Sequence, residues 1–118
     1  MENEKKLAES KLFTPYKLGS TTLRNRVIRS AAFESMGKDF APTQALKDYH
    51  VSVAKGGVGM TTVAYASINR SGISFNKQLW LRDEIVPALR DLTDAVHNEG
   101  AAVGIQLGHC GNMTHWST

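Results

Sequence analysis

Cysteine is almost absent from this chain: Cys110 is the single one among 118 residues. An intramolecular disulfide is therefore excluded, and a lone cysteine gives no zinc or iron–sulfur spacing. Long apolar runs are lacking as well, since none approaches the roughly 20 residues that a membrane-spanning helix needs. The opening MENEKKLAES mixes acidic and basic residues with no apolar segment behind it. That pattern predicts no membrane span, no secretory signal and, with the unpaired cysteine, a cytoplasmic location. An excess of one charge is also missing, for 14 Lys and Arg against 11 Asp and Glu give only +3, with the basic residues scattered among the acidic ones. A nucleic-acid partner is not expected from such a pattern; solubility and some attraction for phosphate-bearing ligands are.

What is present is the composition of an ordinary soluble domain, 42% hydrophobic and 21% charged, with room for one domain at most. After a polar leader of residues 1–11, Leu12–Arg26 reads as two short extended pieces, LFTPYKL and TTLRNR, joined by a Gly19-Ser20 turn. Val27–Ala32 predicts a strand with β-branched residues at its head and small ones at its tail. Pro42 and Thr43 open a helix that carries Leu46, Tyr49, Val53 and Ala54 at spacings of three and four, and Gly56-Gly57 closes it. Val58–Ser67 predicts a second strand. A second helix holds Ile85, Leu89, Leu92 and Val96 on one face, with Asp83 as its cap, Pro87 in its first turn and Gly100 at its end. Ala101–Leu107 predicts a third strand. Strand, helix, strand, helix, strand implies parallel pairing with right-handed crossovers, the unit of doubly wound sheets and of (β/α)8 barrels. The connection between the second strand and the second helix is long for its kind, about 15 residues, and falls where barrel enzymes keep their chemistry.

Several residues invite a chemical reading. The glycines of KGGVGM resemble a dinucleotide fingerprint, but they follow a helix and precede a strand, the reverse of the order that fingerprint needs; a helix C-cap accounts for them. Ser30, Ala31 and Ala32 end the first strand, where small residues either open the backbone to a planar ligand or relieve a crowded barrel centre. Glu34, just beyond, is either a carboxylate at the catalytic end or a solvated loop charge. Gln106 near the end of an apolar strand offers a donor and an acceptor together, to a ligand edge or to neighbouring backbone. His109 lies at the same end and can meet a phosphate or substrate oxygen. His50 and His97 sit on helices as solvated or packing residues, and Cys110 is read as a small packed thiol.

Taken together, LFTPYKLGSTTLRNRVIRSAAFESM, AKGGVGMTTVAYASIN and GAAVGIQLGHCGNMT resemble the opening of the old yellow enzyme family of NADH:flavin oxidoreductases, from Leu12 to Thr114. An LF-P start, an NR pair before the first strand, GG-G before the second and Q-L-x-H-x-G after the third occur in the family's order. The resemblance implies an α/β fold, a partial (β/α)8 TIM barrel with its first three strands and two helices behind an N-terminal hairpin, over residues 12–118. It also implies FMN as cofactor, NADH or NADPH as electron donor, and an activated alkene or related small electrophile as substrate. Residue by residue, it places Ser30, Ala31 and Ala32 against the flavin, Gln106 on its pyrimidine edge, and a second-strand backbone contact at Tyr65 or, failing that, Ala64. Phe33 stands where many relatives carry Thr or Cys near the flavin C4 carbonyl, Tyr65 replaces a residue that is often small, and Asn112 stands where Arg is common. Catalytic residues that bind the substrate carbonyl or give it a proton are expected on later strands, not within this chain.

Three strands cannot close an eight-stranded barrel, and a complete barrel takes about 250 residues. The chain is therefore expected to act as part of a larger enzyme and, alone, to lack ene-reductase activity and tight FMN binding. An open parallel edge also favours association, so a homo-oligomer is compatible with the pattern. A non-catalytic barrel piece without bound flavin is the alternative.

Overall fold

The computed structural model describes residues 1–114; positions 115–118 of the expected barrel region lie outside the described residues. The polar leader carries a helix. Its helix α1 (Glu2–Ala8) buries no residue, and Lys6 stands 3.9 Å from Glu2 one turn earlier. A helix that is polar all round has no apolar stripe to announce it. The expected hairpin follows: β1 (Tyr16–Leu18) and β2 (Thr21–Leu23) pair antiparallel around Gly19-Ser20, with Leu18 opposite Thr21.

The parallel sheet is built from β3 (Ile28–Arg29), β4 (Met60–Ser67), β5 (Leu79–Trp80) and β6 (Ala102–Gly108). β6 runs along the length of β4, from Met60 opposite Ala102 to Ser67 opposite Gly108. The other edge of β4 is shared, with β3 at Met60 and Thr61 and β5 at Ala66 and Ser67. The strand expected over Val27–Ala32 is thus cut to two residues. Arg29 turns its guanidinium onto Thr62 O (2.9 Å) and toward the carbonyls of Ser30 (3.4 Å) and Ala32 (3.3 Å), so a side chain takes acceptors that a continuing ladder uses. The long connection after β4 returns to the same edge farther along, where β5 pairs with Ala66 and Ser67. This fourth parallel strand, absent from the expected three, is too short to show periodicity.

Helices α2 (Gln44–Lys55) and α3 (Val86–Asn98) cover the sheet. Thr43 Oγ1 accepts from Leu46 N–H at 3.1 Å, the expected N-cap. The expected cap by Asp83 is not formed. Asp83–Ile85 makes a 3-10 turn that runs into α3, which puts the N-cap position at Ile85, two residues past the carboxylate. Leu46, Ala54, Leu92 and Val96 pack on Val63, Ala66 and Ala101 to form the core. On β4 the residues Thr61, Val63, Ala64, Ala66 and Ser67 are all buried, as expected of a strand paired on both edges and covered by helices.

At the amino ends of the strands one arginine joins three elements. Arg24 donates to Ala54 O (2.6 Å) near the end of α2, to Val58 O (3.1 Å) at the entry to β4 and to Glu99 O (2.8 Å) at the end of α3. A cation there meets the negative ends of two helix dipoles. Asn25 donates to Gly57 O (2.6 Å) and accepts from Val27 N–H (3.1 Å). This stretch before β3 is scaffold.

Candidate flavin-facing site

The chain leaving β3 runs on beside β4, reaching Ala64 and Tyr65 on the way to the carboxyl ends of β4 and β6, the end of such sheets where chemistry is placed. Ser30 and Ala32, leaving β3, are exposed, and Ala31 is half-buried. The β4–β6 ladder shifts between Val63 and Ala66: Val63 lies opposite Ile105 and Ala66 opposite Leu107, so Ala64 and Tyr65 together face Gln106. A bulge of this kind re-aims side chains and ends regular pairing. Gln106 is exposed, and its carboxamide makes no hydrogen bond among the described residues. It does not take the place of a buried amide tied to neighbouring backbone.

Phe33 joins this group through its ring, 5.2 Å from that of Tyr65 and 5.2 Å from that of Phe75 in the loop after β4. Tyr65 is half-buried. Burial raises its phenol above the usual value, and the charge of Cys110 and a hydrogen bond to that residue push it further the same way. The loop that presents Phe75 is folded around Gln78, whose Oε1 accepts from Ser74 N–H (2.8 Å) and Phe75 N–H (2.9 Å). The Nε2 of this buried residue has no partner among the described residues.

Glu34, open between a carboxylate at the catalytic end and a solvated loop charge, and His50, expected as a solvated or packing residue, form a buried polar pair. The Glu34 side chain is 1% exposed and that of His50 is 0% exposed, with Nε2 2.5 Å from Oε2. Thr61 Oγ1 lies 2.8 Å from His50 Nδ1, and the Glu34 carboxylate accepts from Ala64 N–H at 3.2 and 3.3 Å. Glu34 is therefore not a solvated loop charge. One signal for this was available in the sequence, for Leu46, His50 and Ala54 recur every four residues and are the three buried residues of α2.

His109 uses both ring nitrogens within the chain. Nδ1 accepts from Gly111 N–H (3.0 Å) and Nε2 lies 3.0 Å from Ser71 Oγ, so neutral imidazole carries its proton on Nε2. Its ring packs on Gly72, where an added Cβ would stand 2.6 Å from Cδ2. His109 thus braces the loop after β6 against the loop after β4. His97 and Asn112 are exposed, and Cys110 is half-buried.

Residues 11–117 match the model of the NADH:flavin oxidoreductase / NADH oxidase family. The chain belongs to that family. Over 100 residues it is 43% identical to the 4,4'-dithiodibutanoate disulfide reductase of Rhodococcus erythropolis, a match that covers 85% of this chain and 25% of that protein. It is 40% identical over 106 residues to an NADPH dehydrogenase of Listeria welshimeri, covering 86% and 31%. Among solved structures, morphinone reductase in complex with tetrahydroNAD superposes with a TM-score of 0.80 at 26% identity, over 90% of this chain and 29% of that one. The chain thus spans a quarter to a third of the length of these relatives, and its fold is the corresponding part of the old yellow enzyme barrel.

The flavin in the family's name fits the carboxyl end of this sheet. Small residues at Ser30–Ala32 leave backbone accessible to a flat ring, and the unspent Gln106 carboxamide offers a donor and an acceptor to a pyrimidine edge. Phe33 offers that end only an apolar ring. No described helix is long and apolar enough to cross a membrane.

Proposed function

We propose that this chain supplies one wall of the FMN site in an oxidoreductase that takes hydride from NADH or NADPH and delivers it to an activated alkene or a related small electrophile. The observation that carries the reading is that the segment after β3, with Ser30–Ala32 and Phe33, runs beside β4 to the bulge where Ala64 and Tyr65 face Gln106 of β6. Bound there, FMN would supply the two-electron relay between nicotinamide and electrophile. The Gln106 amide would hold the pyrimidine edge and stabilise negative charge that gathers on it, an effect worth more in a site shielded from water. Backbone at Ser30–Ala32 and at Tyr65 would fix the ring plane, while Phe33 sets an apolar boundary beside it. Groups that bind the substrate carbonyl and move its proton belong to later strands of the barrel, and a cytoplasmic location suits the nicotinamide donor.

The test is the flavin content of the purified enzyme, followed by anaerobic mixing with NADH and with NADPH. Stoichiometric flavin that either donor bleaches, and that an activated alkene reoxidises, is the expected result; an enzyme without flavin would overturn the reading. The 118-residue chain by itself is expected to hold no flavin through gel filtration, because Ser30, Ala32, Phe33 and Gln106 lie exposed on one open wall.

A further inference from the structure

The bulge of β4 is held by a device that a packing role does not require. Where Ala64 and Tyr65 together face Gln106, the regular ladder is interrupted, and a bulge leaves backbone groups in need of other partners. Ala64 N–H finds the carboxylate of Glu34. That carboxylate is enclosed, and an enclosed charge is costly unless every lone pair direction is used. His50 uses one: an ionised carboxylate only accepts, so Nε2 carries the proton at this 2.5 Å contact. Thr61 Oγ1 fixes the ring from Nδ1, Tyr49 packs edge-on against it at 5.3 Å, and Arg29 lies over Tyr49 at 5.0 Å.

We infer that Glu34 and His50 are positioning residues for the cofactor, holding the Ala64–Tyr65 segment in the conformation that meets the flavin. The inference rests on the flavin reading above. Its support is placement: the pair ties the chain that leaves β3 to β4 at Thr61 and at Ala64, directly beside the bulge, from the buried face of α2 between Leu46 and Ala54. Glu34 also directly follows Phe33, whose ring lies 5.2 Å from Tyr65. Residues 33 and 34 thus grip residues 64 and 65 at two points, one by ring contact and one through the backbone. Buried polar and charged groups are a weak source of stability compared with apolar residues of the same volume, so a hydrogen-bonded pair at a bulge is better explained by the geometry it fixes.

The experiment compares Glu34→Leu and Glu34→Gln in the flavin-loaded enzyme. Glu34→Leu leaves Ala64 N–H without its acceptor and is expected to weaken FMN by about tenfold or more, with displaced visible absorption bands. Glu34→Gln keeps an acceptor for Ala64 and can donate to His50 if the imidazole proton moves to Nδ1, so it should restore both affinity and spectrum. Wild-type affinity and spectrum in Glu34→Leu, with only a lower melting temperature of the apoprotein, would make the pair a brace of the fold and overturn the inference. So would a Gln variant as weak as the Leu variant, which would assign the effect to charge. If Glu34→Leu does not fold, His50→Asn withdraws the Nε2 donor in a smaller polar side chain, with the same expectation and the same overturning result. Failure of the flavin reading itself is distinguishable, because the wild-type enzyme would then bind no FMN before any variant is made.

Discussion

The ring of Phe33 lies 5.2 Å from that of Tyr65, tilted by 44°, and 5.2 Å from that of Phe75, nearly parallel to it. Phe33 is nonetheless 37% exposed, so it is both a packing residue and part of the open carboxyl end of the sheet. Phe33→Thr separates the two roles. Beside the cofactor, a new hydroxyl that favours the reduced form by about 1 kcal/mol raises a two-electron potential by roughly 20 mV. Loss of the ring contacts lowers stability by about 1–2 kcal/mol, less than for a fully buried Phe. We expect both changes. A lower melting temperature with an unmoved potential, in a spectroelectrochemical titration of the same sample, would leave Phe33 as packing alone.

Elements with an apolar stripe were legible in the sequence, because burial of that stripe is what stabilises them. Leu46 and Ala54 on α2, and Ile85, Leu92 and Val96 on the segment through α3, are buried where the pattern put them. What the pattern could not show depends on partners remote in the chain. β5 is a two-residue strand that exists only through its pairing with Ala66 and Ser67, and nothing local to Leu79 and Trp80 marks it. Arg24 reaches carbonyls 30, 34 and 75 residues away, and nothing local marks it as different from Arg26. At the site, Ser30–Ala32 and Gln106 were visible as unusual residues at strand ends. The Glu34–His50 pair was not, because its members stand 16 residues apart and meet only once α2 packs beside the chain leaving β3.

Arg24 and Gly100 make a second test, one of the scaffold. Three helix-end and strand-entry carbonyls share one guanidinium, so Arg24→Leu is expected to cost about 3 kcal/mol in urea denaturation. Gly100 has φ +84° and an added Cβ would stand 2.7 Å from Arg24 Nη1. A flexible arginine could usually move aside, but this one is held by its three acceptors. Gly100→Ala is expected to cost about 1–2 kcal/mol, and the double variant should cost less than the sum, since the clash disappears with the guanidinium. Strict additivity would show that Gly100 is needed for its backbone conformation alone.

Alkaline stability should report on Tyr65. Its phenol is raised in the folded protein by burial first and by Cys110 second. The folded form therefore holds this proton to higher pH than the unfolded chain, whose tyrosines titrate near 10. The contribution is fully present below that value and is lost as pH rises through the raised folded value. Melting temperatures of wild type and Tyr65→Phe, compared at neutral pH and above pH 10, should diverge: the wild type falls more steeply with pH. Parallel curves would show that the Tyr65 phenol ionises as freely folded as unfolded.

Gln106 is the most direct probe of the cofactor edge, because changing it disturbs little else. Its side chain is exposed at the end of β6 and makes no hydrogen bond among the described residues. Gln106→Leu should therefore leave folding stability within about 0.5 kcal/mol. In the flavin-loaded enzyme the same change would set an apolar group against a polar edge that gains negative charge on reduction. A lost hydrogen bond to a charged acceptor is worth about 1.5–3 kcal/mol, or roughly ten- to a hundredfold in affinity. We expect weaker FMN binding and slower flavin reduction by NADH or NADPH, read by flavin titration and by stopped-flow absorbance. The effect on the reduced form should exceed that on the oxidised form, so the potential should fall. If affinity, potential and half-reaction rates all match wild type, the carboxamide is an exposed strand-end group that the cofactor does not meet, and the pyrimidine edge must be held from another strand.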